Sequence, residues 1–403
     1  MQLTLRQQIT QFAHLLQSAL FPVLEEQLGK LDKSAKRLVA VLEMIPMGRF
    51  IPISQGWMGR PSKDRYAIAC AFVAKAVYGF STTRQLLEAL QRDAQLRRIC
   101  GWEAARGVPH EATFSRAFEE FARMELPQFV HEALIRDTQS DRLIGHIARD
   151  STAIEVREHF PETPAQAAAR KAAQKAARKA ARKASRDVGR PRGKSGPHKR
   201  WKGGKPLSVP KTDTRLRRQR SMKLPEMLDD LPKQCDIGVK TSSQGHKQYW
   251  RGYKLHLDVA DGQIPISAVL TSASLHDSQV AIPLAAMSTQ RVTYCYELMD
   301  SAYDAYHITE QSRGMGHVPI IDPHQRHKSA DLLAPQTPAR ELSWAQKERY
   351  KERTMSERVH ARIKDEFGGR HIRVRGAAKV MAHLMFGVVA LTVDQLLRLG
   401  RGS

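Results

Sequence analysis

The chain has 403 residues, of which 41% are hydrophobic, so it can bury a full core, and two or three domains are expected. Its net charge of +24 is too large for an ordinary metabolic enzyme and favours a polyanionic partner, above all nucleic acid. The four cysteines, at positions 70, 100, 235 and 295, share no close spacing. This pattern argues against a zinc ribbon or a disulfide framework and fits a reducing interior.

The apolar segments give no sign of a membrane protein. No amino-terminal stretch has the pattern of a signal peptide, and the longest apolar run, Leu384 to Val393, is too short to span a bilayer. We therefore expect a cytoplasmic protein without a membrane partner.

The amino-terminal 135 residues have the pattern of a helical domain. Thr82 and Gln85 form a capping box, and Gly101 is a stop signal, which together predict a helix through Cys100. A second helix is predicted from Glu111 to Met124. Amphipathic helices bind DNA and also join protomers, so the pattern leaves both roles open for residues 1–135.

Most of the excess charge lies in one basic insert, assigned to residues 161–235. Between Pro161 and Arg220 there are 20 lysines and arginines against three acids, which is +17 of the total +24. The segment from Ala167 to Arg186 favours a helix whose lysines repel one another until phosphates neutralise them. The segment from Val188 to Pro210 is rich in Gly, Pro and Lys and predicts disorder. A solvating linker is the alternative, but the size of the charge favours nonspecific contact with DNA or RNA.

The segments on either side of the insert, residues 140–160 and 236–400, predict an α/β domain with a mixed five-stranded sheet flanked by helices. The predicted strands are 143–150, 250–260, 264–272, 293–299 and 317–321. Asp261-Gly262 is a strong hairpin signal and predicts antiparallel pairing of the second and third strands. Alternation within the second strand predicts that Lys254, His256 and Asp258 face outward.

Two aspartates follow apolar strands at positions where α/β sheets collect ligands. Asp150 ends the first predicted strand, and Asp300 ends the fourth. The carboxyl ends of strands form the usual site edge of such sheets. Each aspartate alone is more often a turn residue or helix cap, because Ser and Thr or Ala follow it. His276-Asp277-Ser278 could approach the same edge, but the pattern favours Asp277 as the N-cap of the next helix.

A third carboxylate lies on a helix near the carboxyl end. Tyr350, Arg353, Glu357 and Lys364 stand at offsets of 0, 3, 7 and 14. At about 100° per residue they fall within an arc of roughly 60°, so one continuous helix would present all four on one face. Ser343 and Gln346 predict the start of this helix, and Gly368-Gly369 predict its end. We call it the glutamate helix. A solvated helix with ordinary ion pairs is the alternative.

Asp150, Asp300 and Glu357 together provide three acids on separate elements. Three carboxylates can hold two Mg²⁺ ions about 3.5–4 Å apart, which serve an in-line displacement at phosphorus. Carboxylate oxygens suit Mg²⁺ or Mn²⁺, whereas Zn²⁺ prefers His and Cys clusters. The acids therefore predict a metal-dependent phosphoryl-transfer site.

These motifs resemble the DDE transposases of bacterial insertion sequences, in the group with a Y-(2)-R-(3)-E-(6)-K signature. Tyr350, Arg353, Glu357 and Lys364 fill every position of that signature. The blocks around the two aspartates, Asp150-Ser-Thr and Asp300-Ser-Ala-Tyr-Asp, are similar to those of the family. The resemblance extends to Gly252-Tyr-Lys-Leu-His-Leu and Ser274-Leu-His-Asp-Ser, and upstream to Gly59-Arg-Pro and residues 80–87.

The resemblance implies an RNase H-like catalytic domain in which Asp150, Asp300 and Glu357 bind Mg²⁺ or Mn²⁺. Tyr350, Arg353 and Lys364 would contact the terminal DNA. It implies cleavage at the ends of an insertion sequence and strand transfer into double-stranded target DNA. Holding two ends implies a homodimer, associated with the nucleoid.

Two other functions remain open from the sequence. A non-transposing nuclease would use the same acids, although the Tyr, Arg and Lys of the glutamate helix argue against it. A catalytically inactive DNA-binding relative would tolerate loss of any acid, yet all three are present. The interval of 150 positions between the aspartates is longer than is usual for the group, and the basic insert accounts for much of the excess.

Overall fold

The computed structural model describes residues 4–51, 64–158, 172, 214–241, 245–323 and 341–401. Gly59-Arg-Pro and residues 161–213 of the basic insert, except residue 172, lie outside the described residues, so the predictions made for them stay predictions. The chain divides into two compact units, residues 1–157 with 215–403 and residues 158–214.

Eight helices precede the sheet in the described residues. They are α1 Leu5–Leu15, α2 Phe21–Leu28, α3 Lys33–Met44, α4 Arg65–Val77, α5 Thr83–Arg92, α6 Ala94–Ile99, α7 Glu111–Arg123 and α8 Leu126–Gln139. A π-helical turn joins α1 to α2. The helical character predicted for this region is therefore confirmed.

The predicted helix from Thr82 to Cys100 is wrong in one respect, because two helices occupy this range. The capping box of Thr82 and Gln85 starts α5 as expected. Asp93 then leaves the helical conformation and accepts hydrogen bonds from the first N–H groups of α6. An internal aspartate competes with the helix for backbone donors, and here it starts a new helix instead.

The sheet has six strands rather than five. They are β1 Leu143–Glu155, β2 Asp236–Thr241, β3 Lys247–Ala260, β4 Ile264–Ser272, β5 Thr293–Met299 and β6 Val318–Ile321. Their order is β2-β3-β1-β5-β6, and β4 also pairs with β3. Strands β1, β5 and β6 are parallel, whereas β3 is antiparallel to β1, β2 and β4. The mixed sheet and the β3–β4 hairpin are thus confirmed, and β2 is the strand that the pattern missed.

In the described part of the chain, seven further helices cover the sheet or follow it. They are α9 Arg215–Gln219, α10 Leu224–Asp229, α11 Ala281–Thr289, α12 Tyr306–Gly314, α13 Trp344–Tyr350, α14 Thr354–Asp365 and α15 Ala377–Arg401. The first two fall within residues 161–235, which the sequence assigned to the basic insert. They contact α11 on the sheet unit.

The outward orientation predicted for His256 and Asp258 is wrong. Both side chains are fully buried, because α11 covers the face of β3 opposite to α14 and α15. Alternation of apolar and polar residues indicates a solvent-exposed face only when one side of the sheet is uncovered. Here helices cover both sides of β3. Lys254, also predicted to face outward, is half-buried and pairs with Asp277 at 2.9 Å.

The long helix α15 is the centre of the core. It packs against α1, α3, α4, α7 and α8 and also against β4, so helices and sheet share one continuous apolar cluster. The stretch Ala377–Gly400 is long and apolar enough to cross a membrane, but most of it is buried within the protein. Such burial is typical of the core helix of a globular protein.

His131 on α8 makes the stability of this core depend on pH. Its side chain is fully buried, and its Nε2 lies 3.1 Å from the carbonyl oxygen of Pro265. Burial lowers the pKa of His131 to about 3, so the imidazole is neutral in the folded protein. Unfolding exposes a group with a pKa near 6.5, so the unfolded chain binds more protons as the pH falls below that value.

We expect His131 to lower the free energy of unfolding by about 1.4 kcal/mol for each unit by which the pH falls between about pH 6.5 and pH 3. The free energy of unfolding, measured with urea, should therefore fall between pH 6.5 and pH 5 by about 2 kcal/mol less in His131→Gln than in wild type. His14→Gln, at an exposed position of α1, is the matched control and should leave the loss unchanged. Equal losses in wild type and His131→Gln would contradict this assignment.

Candidate active site

The register of the parallel strands places Asp150 beside Asp300. The pairing of β1 with β5 ends at Arg149 and Met299, which are direct partners. Asp150 and Asp300 are the next residues on each chain, so the two carboxylates lie next to one another at one level of the sheet. The strand pattern predicted this juxtaposition.

The position of Asp150 within its strand differs from the prediction. β1 continues to Glu155 instead of ending at Asp150, because β3 continues to pair with it on the other side, with Asp150 opposite Leu257. Beyond Arg149, β1 has no paired strand on its β5 side in the described residues. Asp150 therefore lies at an edge made by the shorter strand, β5, and not at its own strand end.

A buried ionic network fixes the register directly below these acids. The Arg149 guanidinium donates to both carboxylate oxygens of Asp258 on β3, at 2.8 and 2.9 Å, and to Glu297 on β5 at 3.3 and 3.4 Å. The hydroxyl of Tyr294 donates to Glu297, and that of Ser288 donates to Asp258, both at 2.7 Å. Burial opposes the charge of Arg149, but the two carboxylates raise its pKa well above the usual value. The network ties the three central strands together.

Asp150 and Asp300 are hard to ionise at the same time. Burial raises the pKa of Asp150 to about 6, and repulsion from Asp300 and Asp277 adds to the effect, although the Ser151 N–H and Arg353 act against it. Burial likewise raises the pKa of Asp300, whose Oδ1 accepts a hydrogen bond from the N–H of Ala302 at 3.0 Å. Asp300 therefore also caps the short 3₁₀ turn Ser301–Tyr303, so a capping role does not exclude the predicted site role.

The glutamate helix is interrupted, contrary to the prediction of one continuous helix. The capping box of Ser343 and Gln346 starts α13, but a 3₁₀ turn, Lys351–Arg353, separates α13 from α14. The hydroxyls of Thr354 and Ser356 donate to the carbonyls of Lys351 and Arg353, which is a common cause of such local bends.

Arg353 links two of the predicted acids across this break. Its guanidinium donates to Glu357 at 2.7 Å, lies 3.8 Å from Asp150, and stands 5.8 Å above the ring of Tyr350. The side chain of Glu357 is 55% exposed and points to this arginine. Tyr350, Arg353 and Glu357 therefore share one surface with Asp150.

Lys364, the last residue of the signature, lies in a different environment at the far end of α14. Burial lowers its pKa, and the nearby charges of Arg370 and Lys240 lower it further. The structure therefore does not gather all four signature residues around the aspartates.

Three further side chains lie near the acids, and two of them, Asp322 and His360, were not predicted from the sequence. Asp322 follows β6, whose last residue, Ile321, pairs with Met299, so it lies beside Asp300. The rule that found Asp300, an acid directly after an apolar strand, applies equally to Asp322. His360 is buried, with Nδ1 3.7 Å from Asp150, one turn after Glu357 on the same helix.

Asp277 is the third, and its predicted role was wrong. His276, not Asp277, caps the following turn, since its Nδ1 accepts from the N–H of Ser278. Asp277 instead accepts from Lys254 at 2.9 Å and bonds with Ser151, the neighbour of Asp150. Burial acts to raise its pKa, but His256, Lys254 and Ser151 hold the pKa below the usual value. Asp277 thus remains ionised beside the two aspartates.

The donor set fits a hard divalent cation in part. Asp150 and Asp300 supply oxygen ligands whose mutual repulsion and raised pKa values a cation would relieve. Glu357 is engaged by Arg353 and stands apart from them. Within the described residues, no group of three or more His, Cys, Asp or Glu side chains is arranged to hold a metal ion. The structure therefore assembles two of the three predicted ligands.

Two family models match the chain. Residues 204–393 match a transposase DDE domain, and residues 24–120 match a transposase domain, DUF772. The first match includes Asp300 and Glu357 but begins after Asp150, so the assignment of the first acid rests on its register with β5. No curated protein and no solved structure matches the chain.

The chain belongs to the DDE transposases of insertion sequences. Membership indicates an enzyme of the nuclease and transposase kind that binds DNA and acts in transposition, in a family that generally uses divalent metal ions. This agrees with the resemblance carried by the signature.

The buried network of Arg149, Asp258 and Glu297 should dominate the stability of the site. Arg149→Met leaves two buried carboxylates without a cation, which should lower the free energy of unfolding by about 3–5 kcal/mol. Urea unfolding measures the effect. Arg49→Met, which breaks an exposed pair with Asp137 at 2.8 Å, is the control and should cost less than about 1 kcal/mol. Similar losses in the two variants would show that the network does not hold the strands.

Proposed function

We propose that this protein cleaves DNA at the ends of an insertion sequence and joins the freed 3′-hydroxyl to double-stranded target DNA. The observation that carries the proposal is the register that sets Asp150 beside Asp300, with Arg353 and Glu357 on the adjoining helix. The strand order, with β1, β5 and β6 parallel and β3 antiparallel, is consistent with an RNase H-like domain. Transposition would proceed in the cytoplasm on nucleoid DNA, with two copies of the chain holding two ends.

The aspartates are the residues that would hold Mg²⁺, or Mn²⁺ in its place. Glu357 would become a further ligand when Arg353 releases it to bind a DNA phosphate. A divalent cation bound there would lower the pKa of an attacking water and stabilise the leaving oxygen of an in-line displacement. Asp277 keeps its charge because Lys254 and Ser151 bond with it, so it adds negative potential to the site without leaving its place.

The cations of the glutamate helix would bind the nucleic acid. Arg353 presents a planar guanidinium that suits bidentate contact with a phosphate. Its present partners are carboxylates, so a phosphate would compete with Glu357 for the same donors. Tyr350 is stacked against Arg353 and would lie along the terminal DNA, while Lys364 would contact a phosphate farther along the duplex.

Glu357→Gln should abolish cleavage and strand transfer while DNA binding is kept, because the amide preserves shape but removes the ligand charge. The measurement is cleavage of labelled DNA that flanks the gene, with Mg²⁺, alongside anisotropy binding to the same DNA. Glu352→Gln, an exposed residue on the adjacent 3₁₀ turn, is the matched control and should cut normally.

The pattern of cuts separates the candidate functions. Cuts at the two ends of the insertion sequence (matched ends) that are absent in Glu357→Gln support a transposase. Cuts at any position favour a non-transposing nuclease, and binding without cuts favours an inactive relative. Full activity of Glu357→Gln would overturn the site assignment.

The charge of the basic insert generates a second test. Replacing residues 165–205 by an uncharged Gly/Ser linker of equal length should weaken DNA affinity and flatten its dependence on salt, because fewer counterions are released. Titrations at several salt concentrations give the slope. An unchanged slope would refute a DNA-binding role for these residues.

A further inference from the structure

A second surface lies at the end of β1 beyond the catalytic acids. There the backbone of Val156 forms a parallel bridge with Ile372, and its N–H donates to the carbonyl of Arg251 at 3.1 Å. Arg251 in turn pairs with Ile237 on β2. Four backbone segments therefore lie side by side at this end of the sheet.

The outermost of these segments form a two-stranded ribbon made of β2 and the first six residues of β3. Two-stranded ribbons are only marginally stable alone, so this one needs internal support. The indole of Trp250 lies over Gly238, where an added Cβ would come within 2.2 Å of the ring. An aromatic side chain packed over a cross-strand glycine stiffens a sheet edge. The ribbon is thus a firm element, although most of its residues are exposed.

Gly252 fixes the direction in which the ribbon leaves the sheet. Its φ is 152°, and an added Cβ would lie 2.0 Å from the carbonyl oxygen of Ile154. Only glycine fits this approach of β3 to β1. The ribbon is therefore held at one fixed point against the end of β1.

Positive charge collects on this part of the molecule. We call Lys240, Lys364, Arg370, Arg373 and Arg375 the basic end surface. Lys240, Arg373 and Arg375 are exposed, and none of the three lies within salt-bridge distance of a carboxylate in the described part of the chain. Arg370 pairs with Asp365. Burial, and then the charges of Arg370 and Lys240, lower the pKa of Lys364, so these cations repel one another.

The basic end surface begins near the acids and continues along β1. Burial lowers the pKa of His360, whose Nδ1 lies 3.7 Å from Asp150, and the charges of Lys364 and Lys240 lower it further. Six residues of β1 separate Asp150 from Val156, which is about 20 Å at roughly 3.3 Å per residue. Lys364 lies between, seven helical residues or about 10 Å from Glu357. The helix α14 packs along β1 and β3, so acids, Lys364 and the ribbon follow one direction over the surface. Twenty ångströms correspond to about six base pairs of B-form DNA.

We propose that the basic end surface binds the phosphate backbone of double-stranded DNA within about six base pairs of the bond that is cut. Lys240, Arg373 and Arg375 are exposed cations without a carboxylate at salt-bridge distance in the described residues, which suits a polyanion, and a firm ribbon beside them suits a groove or backbone contact. The inference rests on the proposed function, because the acids define the position of the cut.

The test compares two double variants. Lys240→Gln with Arg373→Gln removes two cations of the basic end surface. Arg6→Gln with Arg142→Gln removes two cations near the start of β1, at its opposite end, and is the matched control. All four positions are on the surface or close to it, so folding should be unaffected.

Binding is measured by anisotropy on a labelled 40-base-pair duplex from the DNA flanking the gene, in EDTA so that no strand is cut. The Lys240/Arg373 variant should bind more weakly and show a salt dependence shallower by about two units in slope, roughly one for each lost phosphate contact. Hydroxyl-radical footprints of wild type should show protection within about six base pairs of the cut, which is mapped separately with Mg²⁺. That protection should be missing in the variant and present in the control.

Failure of the inference can be told apart from failure of the proposed function. If the Lys240/Arg373 variant matches the Arg6/Arg142 control in slope and footprint, while cutting at matched ends persists, the inference is overturned and the function stands. If no protein variant binds or cuts the duplex, the proposed function fails, and the inference falls with it.

Discussion

The buried guanidinium of Arg149 is the interaction on which the geometry of the site depends. It lies between β3 and β5 and bonds with one carboxylate from each, so a slip of either strand would separate a buried charge from its partner. A slip by one residue would also turn every side chain of the strand to the opposite face. Because Asp150 follows Arg149 directly, the same bonds that hold the strands in register set Asp150 beside Asp300.

The surroundings of the aspartates explain how a protein with a large positive net charge maintains a cluster of acidic side chains. Asp150, Asp300, Asp277 and Asp322 come from four separate segments and meet at one edge of the sheet. Arg353 is the cation that partly compensates them, and it also holds Glu357 and stacks on Tyr350. Binding of DNA and of a cation would each change the partners of this arginine, which links the two events physically. Lys364 and the basic end surface continue the positive charge away from the acids.

Much of this arrangement could be predicted from the sequence, and the failures have physical causes. β4 and β5 were predicted with correct bounds, because apolar runs between turn residues define buried strands. Asp300 was found by its place after a strand, and Asp322 was overlooked although it has the same place. The burial of Asp258 could not be read from alternation, since its partner Arg149 lies 109 residues away.

The glutamate helix shows a second limit of sequence patterns. Its spacing predicted four residues on one face, but the hydroxyls of Thr354 and Ser356 bond with nearby carbonyls and interrupt the helix. Lys364 lies seven residues after Glu357 on the uninterrupted α14, on a surface that includes β2, a short exposed strand with no apolar run to reveal it. Contacts between distant segments decide such features, and local propensity carries little information about them.

The most direct test of this account is the binding of Mn²⁺, followed by electron paramagnetic resonance, in wild type, Asp150→Asn and Asp300→Asn. Asp137→Asn, an exposed acid paired with Arg49, serves as the control. If the register brings Asp150 and Asp300 to one cation, each substitution at these two positions should weaken Mn²⁺ binding strongly, and the control should bind like wild type. Unchanged binding in either Asp150→Asn or Asp300→Asn would contradict the shared site.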